Sequence, residues 1–115
     1  MQNLTAHYSD PMNPGCDRYI LDLHPKQSGI IQLSGASAAA GEGIACDGKT
    51  DVSWGPLPGL TWWDVHDDHV QALKVDFSSR GGPSDLTATY NVHEKSIDWA
   101  DGWDWPRIRK EFFLY

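Results

Sequence analysis

Short stretches in which apolar and polar residues alternate recur along this chain, with turns rich in glycine and proline between them. In LTATYNV, the apolar side chains expected to point inward from an extended chain are Leu86, Ala88, Tyr90 and Val92. The same period of two gives residues 71–77 an apolar face made of Leu73, Val75 and Phe77. An alternation of two predicts half-buried β-strands, whereas the apolar face of a helix repeats every three or four residues.

A second pattern marks a hairpin near the end of the chain. Asp101-Gly102, a pair that favours a tight turn, lies between the expected strands 96–99 (SIDW) and 103–108 (WDWPRI). Further strands are expected over 18–23 (RYILDL), 29–35 (GIIQLSG) and both sides of residues 66–68. In RYILDL the side chains that share one face are Tyr19, Leu21 and Leu23.

Seven or eight short strands at near-regular spacing predict an all-β fold, either a single small antiparallel β-barrel or a β-sandwich. We prefer the barrel, of the lipocalin-like kind, formed by one β domain over residues 18–115. Residues 1–17 hold several turn formers and no periodic apolar face, so we expect an irregular N-terminal arm. For residues 36–48 we expect a loop with a short strand at 44–46, and for residues 51–60 a turn-rich loop.

The chain is acidic, with 16 Asp and Glu residues against 9 Lys and Arg residues and a formal net charge of −7. Such a chain repels phosphate groups, which argues against nucleic acid or an anionic membrane as its main partner. No window approaches 18 apolar residues, so we expect no membrane-spanning segment. A signal peptide is not visible in the chain as given, and the compartment stays open.

The two cysteines, Cys16 and Cys46, lie 30 positions apart, and neither belongs to a CxxC pair. This spacing argues against a structural zinc site made of cysteines. In an oxidising compartment the two would close a loop worth roughly 3–4 kcal/mol of stability. In a reducing compartment they would be two small buried apolar residues, and the sequence leaves both readings open.

Residues 61–70, TWWDVHDDHV, combine two tryptophans with three carboxylates and two imidazoles. Neighbours in a strand point to opposite faces, so Trp62 and Trp63 cannot both belong to the core. The imidazoles of His66 and His69, with the carboxylate of Asp67, form a candidate site for a divalent metal ion. The competing interpretation, which we favour, is a solvated polar turn with no cofactor, because no spacing selects a third strong ligand.

Tryptophans with neighbouring aspartates form the candidate ligand-binding set. An exposed indole offers an apolar plane on which a sugar ring can stack, while carboxylates accept hydrogen bonds from its hydroxyl groups. The competing interpretation for each tryptophan is packing in the core or at the rim of the fold. The candidate residues are Trp62, Trp63, Trp99, Trp103, Trp105, Asp64 and Asp101.

Three motifs resemble those of a group of small all-β modules from algae and other protists. These are Pro14-Gly15-Cys16, the V-D-F-S-x-[KR]-G-G-P loop from Val75 to Pro83, and the I-x-W-x-D-G-x-x-W end from Ile97 onward. Together the motifs span most of the chain. The resemblance implies an all-β fold; it implies no settled activity and no catalytic residue.

No serine-nucleophile motif, phosphate-binding loop or cysteine beside an evident base is present, so no strong catalytic constellation supports an enzyme. We therefore expect a non-enzymatic β module that acts through exposed tryptophans, either as a carbohydrate or small-ligand binder or as a subunit bound to a protein partner. In the subunit version the final residues would dock on that partner: Phe112, Phe113 and Tyr115. The alternative is a small barrel hydrolase or isomerase that uses His66, His69 and aspartates.

Overall fold

The computed structural model describes residues 1–23, 29–64 and 70–108, which form a closed antiparallel barrel of eight strands. The strands are β1 (Ala6–Ser9), β2 (Asp17–Asp22), β3 (Ile30–Ser37), β4 (Val52–Trp63), β5 (Gln71–Val75), β6 (Leu86–Asn91), β7 (Ser96–Trp99) and β8 (Asp104–Ile108). A single 3-10 turn over Ser78–Arg80 is the helical part of the described residues. No helix within these ranges is long and apolar enough to cross a membrane.

Every strand pairs with its neighbours in sequence, and β1 pairs with β8 to close the barrel. The all-β prediction is therefore confirmed in its barrel form. Closure gives each of the eight strands a partner on both sides over at least part of its length, which reduces the aggregation risk that open sheets carry. Because adjacent strands run in opposite directions, the β1–β2, β3–β4, β5–β6 and β7–β8 connections all lie at one end, here called the mouth. The other end, with the remaining connections, is called the base.

The interior is filled by the side chains that the alternation of β5 and β6 predicted. Leu73 and Val75 are fully buried, and Ala88 and Tyr90 are nearly so. Phe77 and Leu86 pack against this core from the mouth. Val92 does not follow the prediction: it lies beyond the end of β6 and is exposed, because the chain turns there.

The N-terminal segment differs from the irregular arm expected for residues 1–17. Ala6–Ser9 forms β1 and pairs with both β2 and β8, so this segment completes the barrel. Four residues carry too little alternation to stand out beside the turn formers that follow them. The segment forms a strand because it pairs with β2 and β8; its own sequence shows no strand pattern.

β2 turns the face opposite to the expected one into the barrel. Arg18, Ile20 and Asp22 are buried, whereas Leu21 and Leu23 lie on the outer wall and are more than one-third exposed. Two of these buried residues, Arg18 and Asp22, are charged, and each forms polar contacts inside the barrel. Arg18 pairs with Asp10, and one carboxylate oxygen of Asp22 accepts the backbone N–H of Leu4.

Two predictions for the loops are also wrong. Residues 52–60, expected to be a turn-rich loop, belong to the long strand β4. Its proline-rich part pairs with β3, whereas β5 pairs with β4 only from Gly59 onward, so the prolines have a ladder on one side. No strand forms at residues 44–46, which lie in the loop before β4.

The base of the barrel is closed by the N-terminal residues. Leu4 is fully buried, and the amide of Gln71 exchanges two hydrogen bonds with the backbone of Gln2, at 2.9 and 3.2 Å. Gln71 also donates to the hydroxyl of Thr61 at 2.9 Å. These bonds satisfy a fully buried amide, and they leave the mouth as the open end of the barrel.

Candidate functional site

The β7–β8 hairpin places three indole rings at the mouth. The turn forms as the Asp-Gly pair predicted, with Gly102 at a φ of 98°. The Trp99 N–H donates to the Trp103 carbonyl across the turn at 2.9 Å. Trp99 and Trp105 point inward and are at most 7% exposed, whereas Trp103 at the start of the arm is 44% exposed.

The inward aromatic rings pack edge to face. The centroids of Trp99 and Trp105 are 4.9 Å apart with an interplanar angle of 66°, and those of Trp99 and Phe77 are 5.7 Å apart at 75°. Such pairs add about 0.5–1.5 kcal/mol beyond the area they bury. The rings are therefore held in one orientation before any ligand arrives.

A cavity of about 290 Å³ opens at this end. It would hold on the order of ten water molecules at liquid density, and it lies at the lower limit of typical ligand pockets. Its apolar walls come from Met12, Phe77, Leu86, Trp99, Trp103 and Trp105. The polar side chains around it are Asp10, Asn13, Arg80 and Asp101.

Asp10 is already fully engaged. It is 6% exposed, and its carboxylate pairs with the guanidinium of Arg18 at 3.2 Å. The same carboxylate accepts the Met12 N–H at 3.0 Å and the side-chain N–H of Asn13 at 2.9 Å. These bonds fix the β1–β2 turn, so Asp10 serves mainly to shape this part of the wall.

Arg18 is buried, and the carboxylate of Asp10 stabilises its charge. Burial lowers the pKa of its guanidinium and Arg80 lowers it further, while the charge and hydrogen bond of Asp10 act in the opposite direction. The group also donates to the Ala36 carbonyl and lies 5.7 Å from the Trp105 ring centroid. A buried charge of this kind is tolerated because it is paired and hydrogen-bonded.

Trp54 of β4 lies beside both arginines. The guanidinium carbons of Arg18 and Arg80 are each 5.1 Å from its ring centroid, within the range of cation–π attraction. The indole N–H of Trp54 donates to the Ser37 hydroxyl at 3.0 Å. Gly35 leaves the room for the ring, since a Cβ there would lie 2.6 Å from Trp54 Cζ2.

A disulfide bond links two of the connections at the mouth. Cys16 and Cys46 are bonded, which settles the alternative that the sequence left open. Beside the bond, the Cys46 N–H donates to the Pro14 carbonyl at 2.9 Å. The β1–β2 connection, which carries Asp10, Met12 and Asn13, is thereby tied to the long β3–β4 loop.

The structure brings four of the sequence-derived ligand candidates together and separates the others. Trp99, Trp103, Trp105 and Asp101 all line the mouth cavity. The remaining three lie at the base end of β4: Trp62, Trp63 and Asp64. As expected for strand neighbours, Trp62 and Trp63 do not both enter the core, and Trp63 is 40% exposed.

The metal candidates His66, His69 and Asp67 lie outside the described residues, so that hypothesis stays a prediction. The same holds for docking through Phe112, Phe113 and Tyr115. Among the residues that the structure describes, no group of three or more His, Cys, Asp or Glu side chains could hold a metal ion.

The candidate residues that the sequence indicates do not include Arg18, Arg80 or Phe77. The alternation predicts an inward side chain for Phe77, and its position just after β5 is a signal that could place it at a barrel rim. Nothing in the sequence indicates that Arg18 and Arg80 meet at Trp54, because the three residues come from different strands and connections.

Comparisons with protein-family models, with curated proteins and with solved structures found no match.

Proposed function

We propose that the protein is a non-enzymatic binding module that takes a saccharide at the mouth of its barrel. The observation that carries this proposal is the exposed indole of Trp103 at the rim of a cavity already lined by Trp99 and Trp105. A sugar ring has apolar faces and a polar edge. An indole plane with hydrogen-bonding groups around it complements both.

The rigidity of the site supports the proposal. The aromatic walls are packed edge to face, the β7–β8 turn is hydrogen-bonded, and the disulfide holds the opposite connection. A site ordered before binding loses less conformational entropy when the ligand enters. The polar side chains on its rim, Asn13 and Asp101 among them, supply a donor and an acceptor for hydroxyl groups.

Replacing Trp103 by alanine tests this function. Saccharide binding, followed by intrinsic tryptophan fluorescence on a panel of oligosaccharides, is expected to weaken by about tenfold or more, since the stacking surface is lost. The free energy of unfolding should fall by no more than about 1 kcal/mol, since Trp103 is nearly half exposed and lies outside the buried core.

Trp63→Ala is the matched control, because Trp63 is exposed to a similar degree but lies at the base. It should leave saccharide affinity unchanged. Equal losses in the two variants, or no saccharide bound by the unaltered protein, would refute a binding site at the mouth.

A second candidate function, a subunit of a larger assembly, is favoured by the outer wall of β2, β3 and β4. The exposed apolar side chains there are Leu21, Leu23, Ile30 and Leu60. Ile30 and Leu60 are direct cross-strand partners, and the Leu23 N–H donates to the Ile30 carbonyl, so three of them are neighbours. Contiguous apolar surface of this kind is typical of interaction sites.

Chemical crosslinking and molecular-mass measurement in solution test the subunit version. Leu60→Lys should abolish any association that uses this wall while leaving saccharide binding intact. The enzymatic alternative depends on His66 and His69, and elemental analysis of the purified protein tests its metal-dependent form. Less than about one-tenth of an equivalent of transition metal would exclude that form.

A further inference from the structure

We infer that the saccharide bound at the mouth is anionic, and that its carboxylate or sulfate group pairs with the guanidinium of Arg80. This inference rests on the proposed function and narrows its ligand class. The inference depends on which charged side chains around the cavity are free to form an ion pair with a ligand.

Three charged side chains line the cavity, namely Asp10, Arg80 and Asp101. Asp10 is buried, paired with Arg18 and bonded to two further donors, so a ligand cannot recruit it without breaking these contacts. Asp101 accepts the Trp103 N–H at 3.2 Å, which engages one of its oxygens in the turn. Its other oxygen can accept a hydrogen bond from a hydroxyl group of the saccharide, a contact that neutral and anionic saccharides both offer.

Arg80 differs from both carboxylates. Its side chain is exposed, and within the described residues its guanidinium has no carboxylate partner. A 3.4 Å contact with the Ser37 hydroxyl leaves most of its five N–H donors available. Carboxylate and sulfate groups match the planar fork of such a guanidinium with two parallel hydrogen bonds.

Trp54 holds Arg80 at the cavity wall. The guanidinium lies over the indole ring, and the indole is itself fixed by Ser37 and by the buried Arg18. Because the arginine is already ordered, a ligand does not need to immobilise it on binding. The charge of Arg18, which lies on the same indole, is offset by its ion pair with Asp10. The positive charge that remains available at this wall of the cavity is therefore that of Arg80.

The test compares saccharides that differ in charge and share a similar ring size. Tryptophan fluorescence would be titrated with neutral gluco-oligosaccharides, with oligosaccharides that contain glucuronate, and with sulfated galacto-oligosaccharides, at low and at high salt. The inference predicts that at least one anionic series binds about tenfold more tightly than the neutral series, and that added salt reduces this preference. The carboxylated and sulfated series show which anionic group is preferred.

Arg80→Gln should bring the anionic series down to the affinity of the neutral series, and Arg80→Lys should restore part of the preference. Lys74→Gln, which makes the same change in net charge on the outer wall, should leave the preference intact. Far-ultraviolet circular dichroism checks that each variant is folded.

The possible outcomes distinguish failure of the anionic inference from failure of the proposed function. Equal affinity of the unaltered protein for neutral and anionic saccharides would overturn the anionic inference and leave saccharide binding at the mouth standing. A preference that survives in Arg80→Gln would overturn the role of Arg80. Absence of binding in every series would overturn both the inference and the proposed function.

Discussion

Asp98 and Asp104 are direct cross-strand partners, so two carboxylates face each other on the outer wall of the β7–β8 hairpin. Partial burial raises the pKa of Asp98, the Ser96 hydroxyl that donates to it at 3.2 Å lowers it, and Asp104 raises it again. The folded protein therefore holds this proton to a higher pH than the unfolded chain does. The resulting loss of stability is absent below the ordinary carboxyl pKa of about 3.9 and develops as the pH rises through the raised value.

Asp104→Asn should consequently stabilise the protein at neutral pH. The expected gain in the free energy of unfolding is about 0.2–1 kcal/mol, towards the lower end because solvent screens the pair. The gain should shrink as the pH falls through the raised pKa of Asp98, because protonation of Asp98 removes the repulsion. Urea denaturation at several pH values measures it.

Asp85→Asn, a change of equal charge at an exposed position in the β5–β6 connection, is the control. Equal stabilisation by the two variants at neutral pH would mean that overall charge, and not the facing pair, is responsible.

Residue patterns at this scale placed three indoles and Asp101 on one hairpin, and they did not indicate the arginines that lie near them. The Asp-Gly turn and the alternation from Trp99 to Trp105 are local signals, so the three indoles could be assigned to one hairpin. Arg18 is a different case. A charged residue in a strand is expected to face solvent, and its burial follows from an ion pair with Asp10 that only the folded chain reveals.

At the scale of elements, the contact between β3 and β4 at Gly35 positions Trp54. The register shifts between Leu33 and Gly35, and a side chain at Gly35 would meet the Trp54 ring and the Asp17 carbonyl at 2.6 and 2.9 Å. Gly35→Ala should therefore displace the indole from its contacts with the two arginines. We expect a loss of about 1–3 kcal/mol in the free energy of unfolding, as for other overpacked sites.

Gln32→Ala, on the outward face of the same strand, should change stability by no more than about 0.5 kcal/mol. Denaturant unfolding of both variants makes the comparison. If Gly35→Ala were as stable as Gln32→Ala, the close approach of Trp54 to the backbone of β3 would be wrong.

The strands that the sequence predicted well are those whose alternation is purely apolar against polar. β5, β6 and β7–β8 belong to this class. β2 was assigned as a strand with its faces reversed, because Leu21 and Leu23 lie on the outer wall and Arg18 lies inside. The end of β4 was predicted as a strand, whereas its first part was predicted as a loop because of its prolines, which a strand with ladders on both sides would not accept.

At the scale of the molecule, one disulfide joins the β1–β2 connection to the β3–β4 connection, which is the longest at the mouth. The loop between Cys16 and Cys46 spans 30 positions, and its closure restricts the unfolded chain. Replacing both cysteines by alanine should lower the free energy of unfolding by roughly 3–4 kcal/mol. The double substitution should also weaken saccharide binding, because the β1–β2 connection, which lines the cavity, would no longer be bonded to the β3–β4 loop.

Calorimetry of the oxidised protein, the reduced protein and the double variant measures the first effect. Reduction should destabilise the original protein and leave the double variant unchanged. A double variant as stable as the oxidised protein would show that the barrel does not depend on this bond.

The central claim is that a closed barrel, plugged at its base by Leu4 and the Gln71 network, binds ligand at the mouth through the β7–β8 indoles. The most direct test is the NMR spectrum of the tryptophan indole N–H groups during a saccharide titration. The account predicts shifts for Trp103, Trp99 and Trp105, with the signals of Trp62 and Trp63 unmoved. Shifts confined to Trp62 and Trp63, or no shift for any indole, would contradict it.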